Sequence, residues 1–164
     1  MAQPKTKTAM VIRKADTDDI PSLIRLGREM HEEASTFNML DFDDQKVIAL
    51  FNSPPMVESG ACFIAEDQGE AIGMFCGVVV PHYFGNMLMA NDLCLFVTKS
   101  RRGGTAAYRL IKTFESWAIA KGAVSLRFGI STNVEPERTL KLYEKLGYKL
   151  EGYQVNKYHN KGAK

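Results

Sequence analysis

The stretch from Met87 to Ala118 constrains the fold most. Met87 to Val97 is a long apolar run interrupted only by Asn91 and Asp92, and it leads into Lys99-Ser100-Arg101-Arg102-Gly103-Gly104. Beyond that turn, Ala107, Leu110, Ile111, Phe114, Trp117 and Ala118 recur at the spacing of one helical face. A buried strand that feeds an amphipathic helix through a tight turn is the building unit of α/β domains. Gly122 then supplies the C-terminal cap of that helix.

The flanking segments extend the same pattern. Ala9 to Lys14 is a short β-rich run, and Asp16 to Asp19 offers capping residues to a helix with Ile20, Leu23, Ile24 and Met30 on one face. A second helix starts at Asp41 to Asp44, carries Val47, Ile48 and Phe51 at helical spacing, and ends in a proline loop at Asn52-Ser53-Pro54-Pro55. Ala61 to Glu66 and Ala71 to Val80 read as strands of an antiparallel hairpin closed by Asp67-Gln68-Gly69-Glu70. Ser125 to Ile130 is a strand and Pro136 to Leu146 a helix with Thr139, Leu142, Tyr143 and Leu146 on one face. Tyr148 to Lys157 is the last strand. The predicted order is β-α-α-β-β-β-α-β-α-β, a single domain over residues 9–157, with 1–8 and 158–164 as tails.

Composition narrows the function classes. With 45% hydrophobic and 24% charged residues in 164, the chain can bury one core. A net charge of +2 gives no general attraction to nucleic acid or anionic lipid, so anion binding must be local. No apolar stretch approaches the roughly 18 residues needed to cross a bilayer, and no h-region follows Met1 to Thr8, so a membrane span and export are not expected. Cys62, Cys76 and Cys94 sit in apolar, strand-like runs with no metal-ligand spacing, which predicts buried thiols in a reducing cytoplasm and no metal.

Arg101-Arg102-Gly103-Gly104-Thr105-Ala106-Ala107 is the densest chemical signal. The first N–H groups of a helix lack intrahelical acceptors, the helix dipole adds partial positive charge, and glycine lets an anion approach the backbone. A pyrophosphate fits this turn; a solvated basic cap is the plainer alternative. No Gly-Lys-Ser/Thr follows and no G-x-G-x-x-G is present, so neither the Walker nor the dinucleotide pattern applies.

At this turn the chain resembles the GCN5-related N-acetyltransferase (GNAT) superfamily, whose [Q/R]-x-x-G-x-[G/A] turn holds the pyrophosphate of acetyl-CoA. Arg101 to Ala106 satisfies that pattern, and a register starting at Arg102 and ending at Ala107 keeps the usual spacing from Val97. A second, independent match is Leu142-Tyr143-Glu144-Lys145-Leu146-Gly147-Tyr148, similar to the family's Leu-Tyr-x-x-x-Gly-Phe. Lys99, Pro136 and Thr139 depart from the usual proline, asparagine and alanine. Tyr108-Arg109-Leu110 and Phe114-Glu115-Ser116-Trp117-Ala118 look most like members encoded by phages and prophages.

The resemblance implies a mixed sheet of about six to seven strands flanked by about four helices. It also implies direct transfer of an acetyl group from acetyl-CoA to a small-molecule or protein amine, with a homodimer as a further expectation. Backbone groups at Leu95, Phe96 and Val97, with the Arg101 to Ala107 turn, are then the coenzyme contacts. An alkyl ammonium with pKa near 10.4 is only about 0.04% neutral at pH 7, so a base or a water relay helps. Asp92, the carboxylate within an apolar strand, is the candidate base, against a purely structural role as a hydrogen-bond acceptor. Tyr143 is the candidate acid toward the leaving sulfur, against a plain core tyrosine. His31, Glu32 and Glu33 at the end of the first helix, together with nearby Glu29, and His82 in the loop before the cofactor strand, are candidate acceptor contacts. Phe37, Met39 and Phe42 are a candidate apolar lid. An inactive acyl-CoA-binding module of the same fold is the alternative function.

Overall fold

The computed structural model describes residues 9–157; both expected tails lie outside the described residues. The order is β1 (Val11–Lys14), α1 (Ile20–Glu33), α2 (Asp44–Phe51), α3 (Pro54–Ser59), β2 (Gly60–Asp67), β3 (Glu70–Pro81), β4 (Leu88–Val97), α4 (Ala106–Ala120), β5 (Ala123–Arg127) and α5 (Pro136–Lys145). A single sheet of five strands runs β1-β2-β3-β4-β5. The first four strands pair antiparallel and β5 pairs parallel to β4, with α4 as the crossover a parallel neighbour requires.

Local chemistry explains most boundaries. The Asp16 carboxylate accepts the Asp18 N–H at 2.9 Å and Asp19 accepts the Asp16 N–H at 2.9 Å, a reciprocal cap that starts the turn into α1. Gln68 and Gly69, at φ 55° and 80°, make the primed turn that matches the twist of the β2–β3 hairpin.

Three expectations are corrected. Pro54 and Pro55 do not form a loop: they open α3, because proline is compatible with the first helical positions, where its missing N–H has no partner to lose. Residues 148–157 form no strand, so the sheet is smaller than expected; Tyr153 and Val155 stand exposed, away from any ladder. Cys62 and Cys76 are joined in a disulfide, leaving Cys94 as the free thiol, because the antiparallel register sets Cys62 opposite Cys76, and Cys76 opposite Cys94.

The sheet has two covered faces. One buries Phe75, Ala90 and Val97 against Leu110, Ile111 and Phe114 of α4 and Tyr143 of α5; the other buries Cys62, Ile64, Met74 and Phe96 against Leu23 and Leu26 of α1. Gly77 is required on the α4 face: a Cβ there would lie 2.5 Å from the Phe114 ring and 2.6 Å from the Asn91 carbonyl oxygen. Glycine therefore sets how closely α4 approaches the sheet.

The feature that makes a site is a defect in β4. Cys94 pairs with Cys76 but Asp92 pairs with Gly77, so Leu93 is one residue too many and the strand bulges. The parallel ladder to β5 ends at Asn91 opposite Arg127. From Asp92 to Val97, β4 pairs in the sheet with β3 only, and its other edge opens into a cleft.

Candidate active site

The cleft has a volume of about 390 Å³ and runs from the bulge to the start of α4. Leu95, Phe96 and Val97 present the open strand edge to it, and Arg101, Arg102, Gly103, Gly104, Ala106 and Ala107 form the end beyond them; Thr105 does not line it. Gly103 has φ +91°, a left-handed conformation that side chains disfavour, and this turns the chain so that the α4 N-terminus faces the cleft. Peptide N–H groups of an open strand edge and of a helix start thus border one cavity.

Asp92 and Tyr143 come together here from residues 51 apart in sequence, and both line the cleft. Asp92 accepts the Gly129 N–H at 2.9 Å. Burial pushes its carboxyl up from 3.8 to about 6, against the opposing pull of that hydrogen bond. The Tyr143 ring is only 4% exposed, with ring centroids 5.9 Å from Phe128 and 5.5 Å from Tyr148. Its hydroxyl has no hydrogen-bond partner among the described residues. Burial first, and then the nearby Asp92 charge, keep the phenol protonated far above its usual range. An orphaned buried hydroxyl is costly unless something outside the chain completes it. Cys94 also lines the cleft, and burial pushes its thiol up to about 12.

The basic side chains are less available than their sequence positions imply. Arg102 donates to Glu33 at 2.6 and 2.5 Å and to the Val97 carbonyl at 2.9 Å, and it stacks over Phe96 at 5.4 Å. Glu33 holds the Arg102 charge, and the arginine in turn holds the Glu33 carboxyl below its usual range. Arg101 is ion-paired with Asp67. Arg109, at 2.7 Å from the Met10 carbonyl, anchors α4 to the chain before β1.

Four other candidates do not line the cleft. His31 bonds the Leu40 carbonyl at 2.8 Å and meets the Phe42 ring edge-on, so it braces the segment after α1. Glu32 is exposed outside the cleft, and Glu33 faces Arg102. His82 stacks on Tyr83 at 4.2 Å and accepts the Phe84 N–H, which keeps it in its own loop. Of the expected lid, Phe37 does line the cleft, Met39 is exposed, and Phe42 packs beneath Arg28.

Sequence reasoning missed Arg138, Lys141 and Lys145, which α5 places along the cleft. Their i, i+3, i+7 spacing marks one helical face, a signal visible in the sequence once Leu142 and Tyr143 are known to face inward. Among the described residues no three metal-ligating side chains converge, and no helix is long and apolar enough to cross a membrane.

Solved structures of known proteins share this fold. The aminoglycoside N-acetyltransferase AAC(6')-Iy, solved with the bisubstrate analog CoA-S-monomethyl-acetylneamine, has a TM-score of 0.73 at 21% identity, over 94% of this chain and 99% of that one. A ribosomal-protein-alanine N-acetyltransferase from Brucella melitensis biovar Abortus 2308 has a TM-score of 0.72 at 16% identity, over 93% and 100%. A transcriptional regulator from Bacillus halodurans C-125 has a TM-score of 0.74 at 16% identity, over 92% and 100%. At these identities the likeness is one of fold. No curated protein matches the chain in sequence. The model of the acetyltransferase (GNAT) domain, however, matches residues 58–150, more than half of the chain and including the bulged strand, the α4 turn and α5. The chain belongs to the GNAT acetyltransferase family.

Proposed function

We propose that this protein is an acetyl-CoA-dependent N-acetyltransferase that moves the acetyl group directly to a primary amine bound in the same cleft. The observation that carries the reading is the Tyr143 hydroxyl, buried on the cleft wall with no partner. A thioester sulfur beside it would complete that hydroxyl. Bound acetyl-CoA supplies an activated acyl carbon and a thiolate leaving group.

The chain's own groups divide the remaining work. The N–H groups around Gly103, Gly104, Ala106 and Ala107 hold the pyrophosphate. Backbone carries this load because Arg102 is committed to Glu33 and Arg101 to Asp67. Lys141 and Lys145 add positive charge along the α5 wall, where Arg138 is paired with Glu135. The open β4 edge at Leu95 to Val97 offers N–H donors to the acyl arm and to the carbonyl oxygen that gains charge.

Tyr143 donates a hydrogen bond to the departing sulfur. Since its phenol is held well above an ordinary thiol pKa of about 8.5, it acts as a donor that stays protonated, not as a net source of the proton. Asp92 takes the proton that nitrogen loses as the C–N bond forms and the C–S bond breaks, directly or through water. With a pKa of about 6 it is ionised at neutral pH but too weak a base for a free ammonium near 10.4, so the amine gives its first proton to solvent and attacks as the neutral form, and Asp92 takes the second proton as the C–N bond forms.

The test is calorimetric titration of the coenzyme alongside a thiol-release assay with acetyl-CoA and an amine panel. Coenzyme binding at tens of micromolar or tighter with amine-dependent thiol release is expected. Absence of binding defeats the reading; binding without transfer to any amine or protein lysine leaves an acyl-CoA-binding module.

A further inference from the structure

The charge on the α1 side of the cleft restricts the amine. That wall consists of Met30 from α1, Phe37 from the segment after it, and Cys94 and Phe96 from β4. The acidic side chains of α1 nearest to it are engaged elsewhere. Glu29 receives Arg25 at 2.6 Å and the Thr98 hydroxyl, and Glu33 receives Arg102 through two bonds. The two carboxylates that line the cleft are Asp92 and Glu135, and Glu135 accepts from Arg138 at 3.0 Å. Asp92 is therefore left as the single carboxylate available to an incoming ammonium.

Phe37 is also held in place. Thr36 Oγ1 donates to the Ser131 carbonyl at 2.6 Å and Asn133 Nδ2 donates to Ser35 Oγ at 3.1 Å, clasping the segment after α1 to the loop after β5. A second or third ammonium on the acceptor would have to lose its water against Met30, Phe37 and Phe96 with no carboxylate to pair it. An alkyl or aryl body would instead bury favourably there.

We infer, resting on the acetyltransferase reading above, that the acceptor is a monoamine carried on an apolar alkyl or aryl body, selected by Phe37 and Met30, and that polycationic amines are excluded. The test uses the full chain with saturating acetyl-CoA and four amines: phenethylamine, hexylamine, spermidine and kanamycin. The expected kcat/KM for the first two exceeds that for the last two at least 10-fold. Phe37→Glu, at a half-buried position outside the helices, should lower kcat/KM for phenethylamine at least 5-fold and raise it for spermidine, with coenzyme affinity within twofold of the parent. Met30→Glu should shift the ratio the same way, and Phe37→Leu should preserve the preference. Equal or better turnover of spermidine or kanamycin overturns this inference while sustaining the acetyltransferase reading, and so does a Phe37→Glu ratio unchanged from the parent. Coenzyme binding with no transfer to any of the four amines overturns this inference; only when the wider amine panel and protein lysines also fail does the acetyltransferase reading fall with it.

Discussion

The two sides of the cleft are built by opposite means. On the α4 side, a run of seven consecutive residues, Arg101 to Ala107, makes the turn, and its chemistry is local: a glycine at φ +91° and a helix start. On the α1 side, the character of the wall depends on partners far away in sequence, such as Glu33 with Arg102, 69 residues apart. The difference teaches that a charge counted in sequence is not a charge offered to a ligand. Four acidic residues assigned to the acceptor side reduce to one, Asp92, and two arginines assigned to the coenzyme are bound by carboxylates of the chain itself.

Substitutions can break or sharpen this contrast. The largest effect is expected from Gly104→Glu, which sets a carboxylate in the turn: coenzyme affinity should fall at least about 100-fold by calorimetry, close to 3 kcal/mol. A Cβ at Gly104 meets nothing nearer than the Arg101 carbonyl oxygen at 4.0 Å, so the melting temperature should hardly move. Loss of fold instead of affinity would mean that the turn is structural.

Tyr143→Phe should lower kcat about 10- to 100-fold with little change in coenzyme affinity. It should also leave stability unchanged or raise it by roughly 1 kcal/mol, because it removes a buried hydroxyl that has no partner. A destabilised, fully active variant would return Tyr143 to the core.

Asp92→Asn should reduce turnover at pH 7 and abolish an acidic limb near pH 6 in the kcat/KM profile. The sign for stability follows from the raised value. Between the ordinary 3.8 and about 6 the folded state binds the proton more tightly than the unfolded chain, so stability falls as pH rises through that window, by up to about 3 kcal/mol. The asparagine variant should lack this decline and melt higher than the parent at pH 7. An unchanged pH–stability curve would place Asp92 in a more solvated setting.

The smallest effect belongs to Glu33→Gln, which tests the α1 side. It leaves Arg102 without its charged partner and should cost about 1 kcal/mol in denaturant unfolding at pH 7. Because the Glu33 carboxyl is held low, the parent's advantage should be present above the usual glutamate range and vanish as pH falls through the lowered value. Tighter coenzyme binding in this variant would show that Arg102 can be recruited once released.

Legibility in the sequence followed the range of the interactions. Strands β2, β3 and β4, the hairpin turn and helices α4 and α5 stand where apolar periodicity and turn chemistry put them, within a residue or two. Asp92, Tyr143 and the glycine turn were legible because each breaks a local pattern: a carboxylate in an apolar strand, a phenol in a motif, glycines at a helix start. His82 and His31 stand outside the cleft, since a histidine's availability depends on what stacks against it. Arg138, Lys141 and Lys145 were overlooked because a cationic helix face resembles any solvated one until the opposing surface is known. The strand expected at 148–157 has the composition of β structure, yet a strand exists only by pairing, and no ladder forms there.

The amino-acid sequence by itself determined the family, the order of the elements from β2 to α5 and the turn at the start of α4, since periodicity, caps and positive-φ glycines act over a few residues. The tertiary structure alone decided that Leu93 bulges β4, that the strand parts from β5 after Asn91, and that Asp92 and the unpaired Tyr143 hydroxyl line the same cleft. It also decided which charges are neutralised within the chain. Ion pairing, burial and strand register depend on groups brought together from distant positions, and no local pattern in the sequence encodes their distances.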